Sequence, residues 1–195
     1  MELILASTSP YRRQQLERLG LSFRAVAPPF DEENAKGRLQ RLGTSPRDLA
    51  ERLATLKVES VAATFPDAVV IGGDQLVSLD GEILGKPGTA ECAVEQLLRM
   101  AGRAHDLITS LAAAHRGETR LHTDVTTLRM RPLTRAEVER YVAADSPLDC
   151  AGSYKIESRG IALFDEIRSA DQTAITGLPM VALTTLLRDL GFSVP

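Results

Sequence analysis

Residues 7–13, which read S-T-S-P-Y-R-R, carry the clearest chemical signal in the chain. They follow the apolar run Leu3–Ala6, so a short buried strand leads into small hydroxyl side chains. Ser9 suits a helix N-cap, and Pro10 suits the first helical position. A helix N-terminus presents free N–H groups that favour an anion, and two arginines add donors that fit phosphate. The segment therefore predicts a phosphate-binding helix start or, alternatively, a capped surface helix with ordinary salt bridges.

A carboxylate after an apolar run is the second signal. Asp74 follows Val69–Ile71 and two glycines, which leave room for a ligand to approach the backbone closely. A carboxylate held there could bind a divalent metal or accept a proton from water. The alternative is an aspartate bonded to a neighbouring turn.

Three further charged groups have one functional and one structural interpretation each. Lys86, in Gly85-Lys86-Pro87, could reach a phosphate or lie exposed in a turn. Lys57 adjoins the apolar stripe of a predicted helix and could bind phosphate or extend to solvent. Glu32, within an acidic triplet, could bind metal or be solvated charge.

Several catalytic classes find no support. His105, His115 and His122 lack both metal-ligand spacing and a nearby Ser/Asp partner. Neither G-x-x-x-x-G-K-[ST] nor G-x-G-x-x-G occurs, which disfavours a P-loop NTPase and a dinucleotide enzyme. Ser7 and Ser9 have no nearby base, so we interpret them as phosphate donors and not as nucleophiles.

Strand and helix patterns alternate along the chain, and these elements must position the residues above. The alternation predicts an α/β fold with two lobes, in which helices flank a mixed β-sheet. Strands are predicted at Leu3–Ala6, Ser22–Ala27, Ala68–Leu79 (interrupted at Gly72–Gln75), Glu82–Leu84, His105–His115, Thr119–Arg129 and Gly160–Ile167. Helices are predicted over Pro10–Leu19, after Ser45, from Thr89 through Met100, after Thr134 and across Val181–Leu190. The polar residues 28–44 are interpreted as a loop at the rim of an active site.

Composition restricts the class of protein. The 195 residues are 44% hydrophobic and 25% charged, as expected for one globular domain spanning residues 1–195. A net charge of −3 argues against nucleic acid as a partner. There is no membrane-length apolar run and no signal-peptide pattern, and Cys92 and Cys150 are too few for a zinc site or a disulfide framework. These features predict a cytoplasmic protein that does not engage membranes.

Taken together, the motifs resemble those of the Maf nucleotide pyrophosphatases, from about Leu3 to Leu190. The resemblance is carried, in order, by Ser-x-Ser-Pro-x-Arg-Arg at 7–13, Asp31-Glu32, Lys57, Gly-x-Asp-Gln at 72–75, Gly85-Lys86-Pro87, Asp149–Ser153 and Thr176-Gly177-Leu178-Pro179.

This resemblance implies a fold akin to inosine-triphosphate pyrophosphatases, with a central cleft between two lobes. It also implies metal-dependent hydrolysis of a nucleoside triphosphate to the monophosphate and pyrophosphate, and a homodimer. Asp74 would be the catalytic proton acceptor, and Glu32 and Asp74 would hold Mg²⁺ or Mn²⁺. The substrate-binding residues would be Ser7, Ser9, Arg12, Arg13, Lys57 and Lys86.

Three positions indicate which nucleotide is hydrolysed: Tyr11, Gln75 and Glu157. They are similar to the 7-methyl-GTP branch of the family, whereas the dTTP/UTP branch typically has Arg, Thr and Gln there. A base methylated at N7 is cationic and favours stacking on an electron-rich ring such as that of Tyr11. Two carboxylate oxygens of Glu157 match the two donors on one edge of guanine.

Two alternatives remain at this point: a pyrophosphatase for another nucleotide, such as dTTP or UTP, and a nucleotide-sensing regulator of cell division. The intact acidic and basic positions favour an enzyme, because a sensor would not need Asp74.

Overall fold

The computed structural model describes residues 1–194. Its helices are α1 (Pro10–Glu17), α2 (Glu32–Arg41), α3 (Pro46–Ala62), α4 (Ala90–Met100), α5 (Arg135–Asp145) and α6 (Met180–Asp189). Its strands are β1 (Leu3–Leu5), β2 (Arg24–Ala25), β3 (Val69–Leu79), β4 (Glu82–Leu84), β5 (Ala104–His115), β6 (Glu118–Met130) and β7 (Phe164–Arg168). Short 3₁₀ turns lie at Ala151–Ser153, Arg159–Leu163 and Gln172–Thr176.

The strands form a mixed sheet in the order β2-β1-β3-β5-β6-β7, with β4 paired to β3. β1 runs parallel to both β2 and β3, and Leu3 and Leu5 lie opposite Val69 and Ile71. The β3–β4 and β6–β7 pairs are antiparallel. The predicted mixed α/β fold is confirmed.

The described residues divide into two compact units, and the first consists of residues 1–74, 109–124 and those from 171 onward. Side chains alternate between the two faces of its strands. Leu3, Leu5 and Ile71 pack on one face against apolar residues of α1 and α6. Ile4 and Val70 pack on the other face against α3. The short strand β1 is therefore buried on both sides, as its continuous apolar run predicts.

The second unit comprises residues 75–108 and 125–170, and α4 packs against α5 within it. Asp80 and Gly81 join β3 to β4 with φ angles of 50° and 86°, as in a two-residue hairpin turn. Thr89 caps α4, and Thr134 and Glu137 form a capping box at the start of α5. These local predictions are confirmed.

Three predicted elements differ from the structure. Residues 28–44 contain helix α2, which has no buried residue and hence no apolar periodicity to reveal it. Its signals are the N-cap Asp31, acidic residues in its first turn and arginines in its last. Strand β3 runs through Gly72–Gln75 without interruption, and β7 begins at Phe164 and not at Gly160.

Within residues 1–194, no helix combines the length and the apolar character needed to cross a bilayer.

Candidate active site

Two glycines before Asp74 allow β3 to pack tightly on its neighbours. A Cβ at Gly73 would lie 2.6 Å from the Ser110 carbonyl oxygen, and one at Gly72 would lie 3.0 Å from a Val58 methyl carbon. Backbone cannot yield to such a contact as a flexible side chain can, so Gly73 is required. The glycines therefore admit neighbouring protein segments, whereas the sequence had suggested room for a ligand.

Asp74, 4% exposed, forms a buried ion pair with Lys57. Lys57 Nζ donates to Asp74 Oδ1 at 2.7 Å and to Glu32 Oε1 at 3.0 Å. The side chains of Lys57 and Asp74 are 8% and 6% exposed, whereas that of Glu32 is 45% exposed. Asp74 Oδ2 is buried and has no hydrogen-bond partner within residues 1–194. This second oxygen is available to accept a proton or to bind a cation.

Arg12 adds a second cation near these carboxylates. Burial lowers the pKa of Arg12, while the charges of Asp74 and Glu32 raise it, so the guanidinium lies within electrostatic range of both. We call Arg12, Glu32, Lys57 and Asp74 the charge cluster. It brings together four of the residues that the sequence analysis selected.

The start of α1 presents Arg12 as its capping pattern predicts. Ser9 Oγ accepts from the Arg12 amide at 3.4 Å, and the Ser9 amide donates to Ser7 Oγ at 3.1 Å. Arg13 points elsewhere: its guanidinium pairs with Glu17 Oε1 at 3.1 Å, and its side chain is 62% exposed. The structure therefore does not bring Arg13 into the charge cluster.

A loop far along the chain fixes the Arg12 side chain. Arg12 Nε donates to the Gly177 carbonyl at 3.0 Å. Gly177 has φ of 121°, and a Cβ there would lie 3.2 Å from Arg12 Cγ. Gln15, one turn further along α1, donates from its amide to Thr173 O at 2.7 Å and to Thr176 Oγ1 at 2.6 Å. Gln15 and Gly177 thus hold the loop against α1.

Sequence reasoning missed these two positioning residues. Gly177 lies in the Thr-Gly-Leu-Pro motif, which was a usable signal, whereas nothing in the sequence marks Gln15.

The remaining candidates are divided between the two units. Tyr11 is half-buried on α1 in the first unit. In the second unit, Gln75 is half-buried on β3, Lys86 is exposed after β4, and Glu157 is exposed in a turn before β7. Lys86 forms no ion pair within the described chain.

Two carboxylates are the candidate metal ligands, Glu32 and Asp74. Among residues 1–194, no group of three or more His, Cys, Asp or Glu side chains could hold a metal ion. Mg²⁺ commonly takes one or two protein carboxylates and completes its shell with substrate phosphates and water. The unpartnered Asp74 Oδ2 and the oxygen donors of Glu32 fit that mode of binding.

The fold and the charge cluster define an α/β protein in which a buried carboxylate lies beside the cations of Lys57 and Arg12. A family model described as Maf-like protein matches residues 2–190, and the chain belongs to this family.

Relatives and a solved structure agree with this assignment. The chain is 51% identical to the 7-methyl-GTP pyrophosphatase of Bdellovibrio bacteriovorus, covering 96% of each chain. It is 52% identical to the protein of that name from Xanthomonas axonopodis pv. citri, covering 99% of this chain and 98% of the other. The Ham1 protein of Staphylococcus aureus shares the fold, with a TM-score of 0.56 and 16% identity over 97% of this chain and 99% of the other.

Proposed function

We propose that this protein is a nucleoside triphosphate pyrophosphatase that hydrolyses 7-methyl-GTP to 7-methyl-GMP and pyrophosphate. The observation that carries the chemistry is the buried Asp74, with one oxygen paired to Lys57 and the other without a hydrogen-bond partner among the described residues. Relatives named 7-methyl-GTP pyrophosphatase, at about half identity over nearly the whole chain, support the substrate. The cytoplasm, where free nucleotides occur, is the location we expect.

In the reaction, water forms a new bond to the α phosphorus and the anhydride bond between the α and β phosphates breaks. The Asp74 carboxylate accepts the proton that the water loses, and pyrophosphate leaves with the bonding electrons. Arg12, Lys57 and the hydroxyls of Ser7 and Ser9 bind the phosphate oxygens and offset their charge. Lys86 is assigned the same task by its motif.

Glu32 and Asp74 would hold a divalent cation, Mg²⁺ or Mn²⁺, because both ions prefer carboxylate oxygen. When bound, such a cation polarises the phosphoryl oxygens and neutralises charge that develops on the leaving group.

Base selection is assigned to Tyr11, Gln75 and Glu157. The Tyr11 ring would stack on the cationic methylated base, and Glu157 would accept from the guanine N1–H and the exocyclic amino group. The family resemblance also includes a homodimer, which sedimentation of the purified chain would test.

The direct test is product analysis over 7-methyl-GTP, GTP, UTP and dTTP with Mg²⁺ or Mn²⁺. We expect pyrophosphate and a nucleoside monophosphate as first products, with the highest kcat/KM for 7-methyl-GTP. A nucleoside diphosphate with inorganic phosphate would contradict the assigned bond cleavage, and a preference for UTP would contradict the assigned base.

A Glu157→Gln variant tests how the base is read. Glutamine turns one acceptor oxygen into a donor, which faces a guanine donor, so the ratio of kcat/KM for 7-methyl-GTP over UTP should fall about tenfold to hundredfold. Glu166→Gln, a half-buried carboxylate on β7 that pairs with Arg168, is the control and should leave the ratio unchanged.

A further inference from the structure

The proposed base reader Glu157 lies in the middle of a turn that closes on a single carbonyl. We call residues Lys155 to Gly160 the 155–160 turn. The amides of Ser158 and Gly160 both donate to the Lys155 carbonyl, at 3.1 and 3.0 Å. Glu157 itself is exposed at the tip. The direction of its side chain therefore depends on how this turn is anchored.

Helix α5 holds both ends of the turn. Tyr141 Oη accepts from the Lys155 amide at 2.9 Å, and Asp145 Oδ2 accepts from the Arg159 amide at 2.9 Å. Tyr141 and Asp145 are four residues apart, so both lie on the same face of the helix. Both acceptor side chains are buried, since Tyr141 is 7% exposed and the Asp145 side chain 2%.

Gly160 lets the turn pack closely on the backbone of Lys155. A Cβ at this position would lie 2.4 Å from the Lys155 carbonyl oxygen and 2.9 Å from the Lys155 nitrogen. Only glycine lets the chain pass so close to its own backbone. Close packing at Gly160 and the two hydrogen bonds to α5 thus define one geometry for the segment that bears Glu157.

We propose that Tyr141 and Asp145 are positioning residues for base selection, because they fix the two ends of the turn that carries Glu157. The inference rests on the proposed function, in which Glu157 reads the base, and it assigns to neither residue a contact with substrate. Burial raises the pKa of the Tyr141 phenol, and the Asp145 and Glu157 carboxylates raise it further. Glu157 is therefore within electrostatic range of the residue proposed to position it.

The first test is Tyr141→Phe, which removes the hydroxyl acceptor and keeps the ring. We expect the ratio of kcat/KM for 7-methyl-GTP over UTP to fall about threefold to tenfold, through loss on 7-methyl-GTP. The matched control is Tyr154→Phe: Tyr154 is 6% exposed and its hydroxyl bonds His105 Nε2 at 3.1 Å, not an amide of the turn. That control should leave the ratio unchanged.

A pair of Asp145 variants supplies a second test that holds even if Tyr141→Phe does not fold. Asp145→Ala removes the acceptor for the Arg159 amide and should lower the ratio. Asp145→Asn keeps a carbonyl oxygen in place and should restore it. An equal loss of kcat/KM on both nucleotides in Asp145→Ala would indicate a structural role only and would overturn the inference.

A double variant distinguishes a failure of the positioning role from a failure of the base assignment to Glu157. With Glu157→Gln already present, Tyr141→Phe should lower the ratio no further, since the residue being positioned no longer reads guanine. If Glu157→Gln lowers the ratio and Tyr141→Phe does not, the positioning role is wrong and the base assignment stands. If Glu157→Gln itself has no effect on the ratio, the base assignment fails and the inference fails with it.

Discussion

Each of the two units buries a titratable group with one polar atom that has no hydrogen-bond partner within residues 1–194: Asp74 Oδ2 in the first and His105 Nδ1 in the second. Their surroundings differ. Asp74 faces Lys57, with Glu32 and Arg12 close by. His105 lies against two rings, with centroids 5.5 Å away for Tyr154 and 5.9 Å away for Phe164.

The two regions therefore differ in the charged groups that surround the buried side chain. Around Asp74, the buried ion pair with Lys57 and the nearby Arg12 guanidinium place positive charge beside the carboxylate. Around His105, burial lowers the pKa of the imidazole to about 4, and the nearby Asp106 carboxylate offsets this effect only in part. The two regions thus bury titratable groups of similar accessibility among very different neighbours.

The strongest test of this contrast is Asp74→Asn. Asparagine cannot accept the proton, so pyrophosphate release should fall by about 10²–10⁴. Because the amide oxygen still accepts from Lys57 Nζ, the fold should persist with a loss of stability of about 1.5–3 kcal/mol. Asp106→Asn in the second unit, whose Oδ1 accepts from Thr127 Oγ1 at 2.8 Å, is the control and should remain active. Near-native turnover in folded Asp74→Asn would remove Asp74 from the mechanism.

His105, in the second unit, should make the stability of the protein depend on pH. The pKa of His105 in the folded protein is about 4, below its ordinary value of 6.5. Protonation of this imidazole therefore favours the unfolded chain. This contribution to stability is complete above pH 6.5 and is lost as the pH falls toward 4, by about 3 kcal/mol in total. Denaturant unfolding at several pH values measures it. In His105→Gln that part of the pH dependence should vanish, whereas exposed His122→Gln should retain it; equal pH profiles for all three proteins would refute the assignment.

Gly177→Ala tests how Arg12 is held in the first region. A Cβ 3.2 Å from Arg12 Cγ displaces the guanidinium, so kcat/KM should fall roughly tenfold to hundredfold. Gly191→Ala is the matched control, because Gly191 also has positive φ, at 87°, with nothing within 4 Å of a Cβ. Both variants should lose about 1–3 kcal/mol of stability from backbone strain. An equal effect on activity would show that Gly177 acts through stability alone.

The smallest effect is expected for Arg13→Ala. Arg13 is exposed and pairs with Glu17 in the i,i+4 position. Its removal should change kcat/KM less than about threefold, whereas Arg12→Ala should lower it at least about tenfold. A large loss in Arg13→Ala would restore Arg13 to the substrate-binding residues expected from the sequence.

Much of this architecture could be predicted because its signals are local. Ser9, Ser45, Thr89 and Thr134 each cap a helix at the expected residue, and each accepts from an amide three positions on. Helix α2 escaped prediction because it buries no side chain, so only its capping and end charges mark it.

Within the candidate site, residue types were predictable and partners were not. Lys57 could have been a phosphate ligand or a solvated side chain, and its ion pairs join it to residues 17 and 25 positions away. Likewise, the sequence gives no indication that the Gly177 carbonyl, 165 positions from Arg12, holds that guanidinium.

The sequence by itself determined the caps, the tight turns, the apolar strands and the order of the family motifs, since each depends on residues within a few positions of one another. Tertiary structure alone decided that Lys57 neutralises Asp74, that Gly73 admits a neighbouring strand, and that the His105 imidazole is held by rings. Those outcomes depend on which strands become neighbours in the sheet, and that order brings together segments that are distant in the chain.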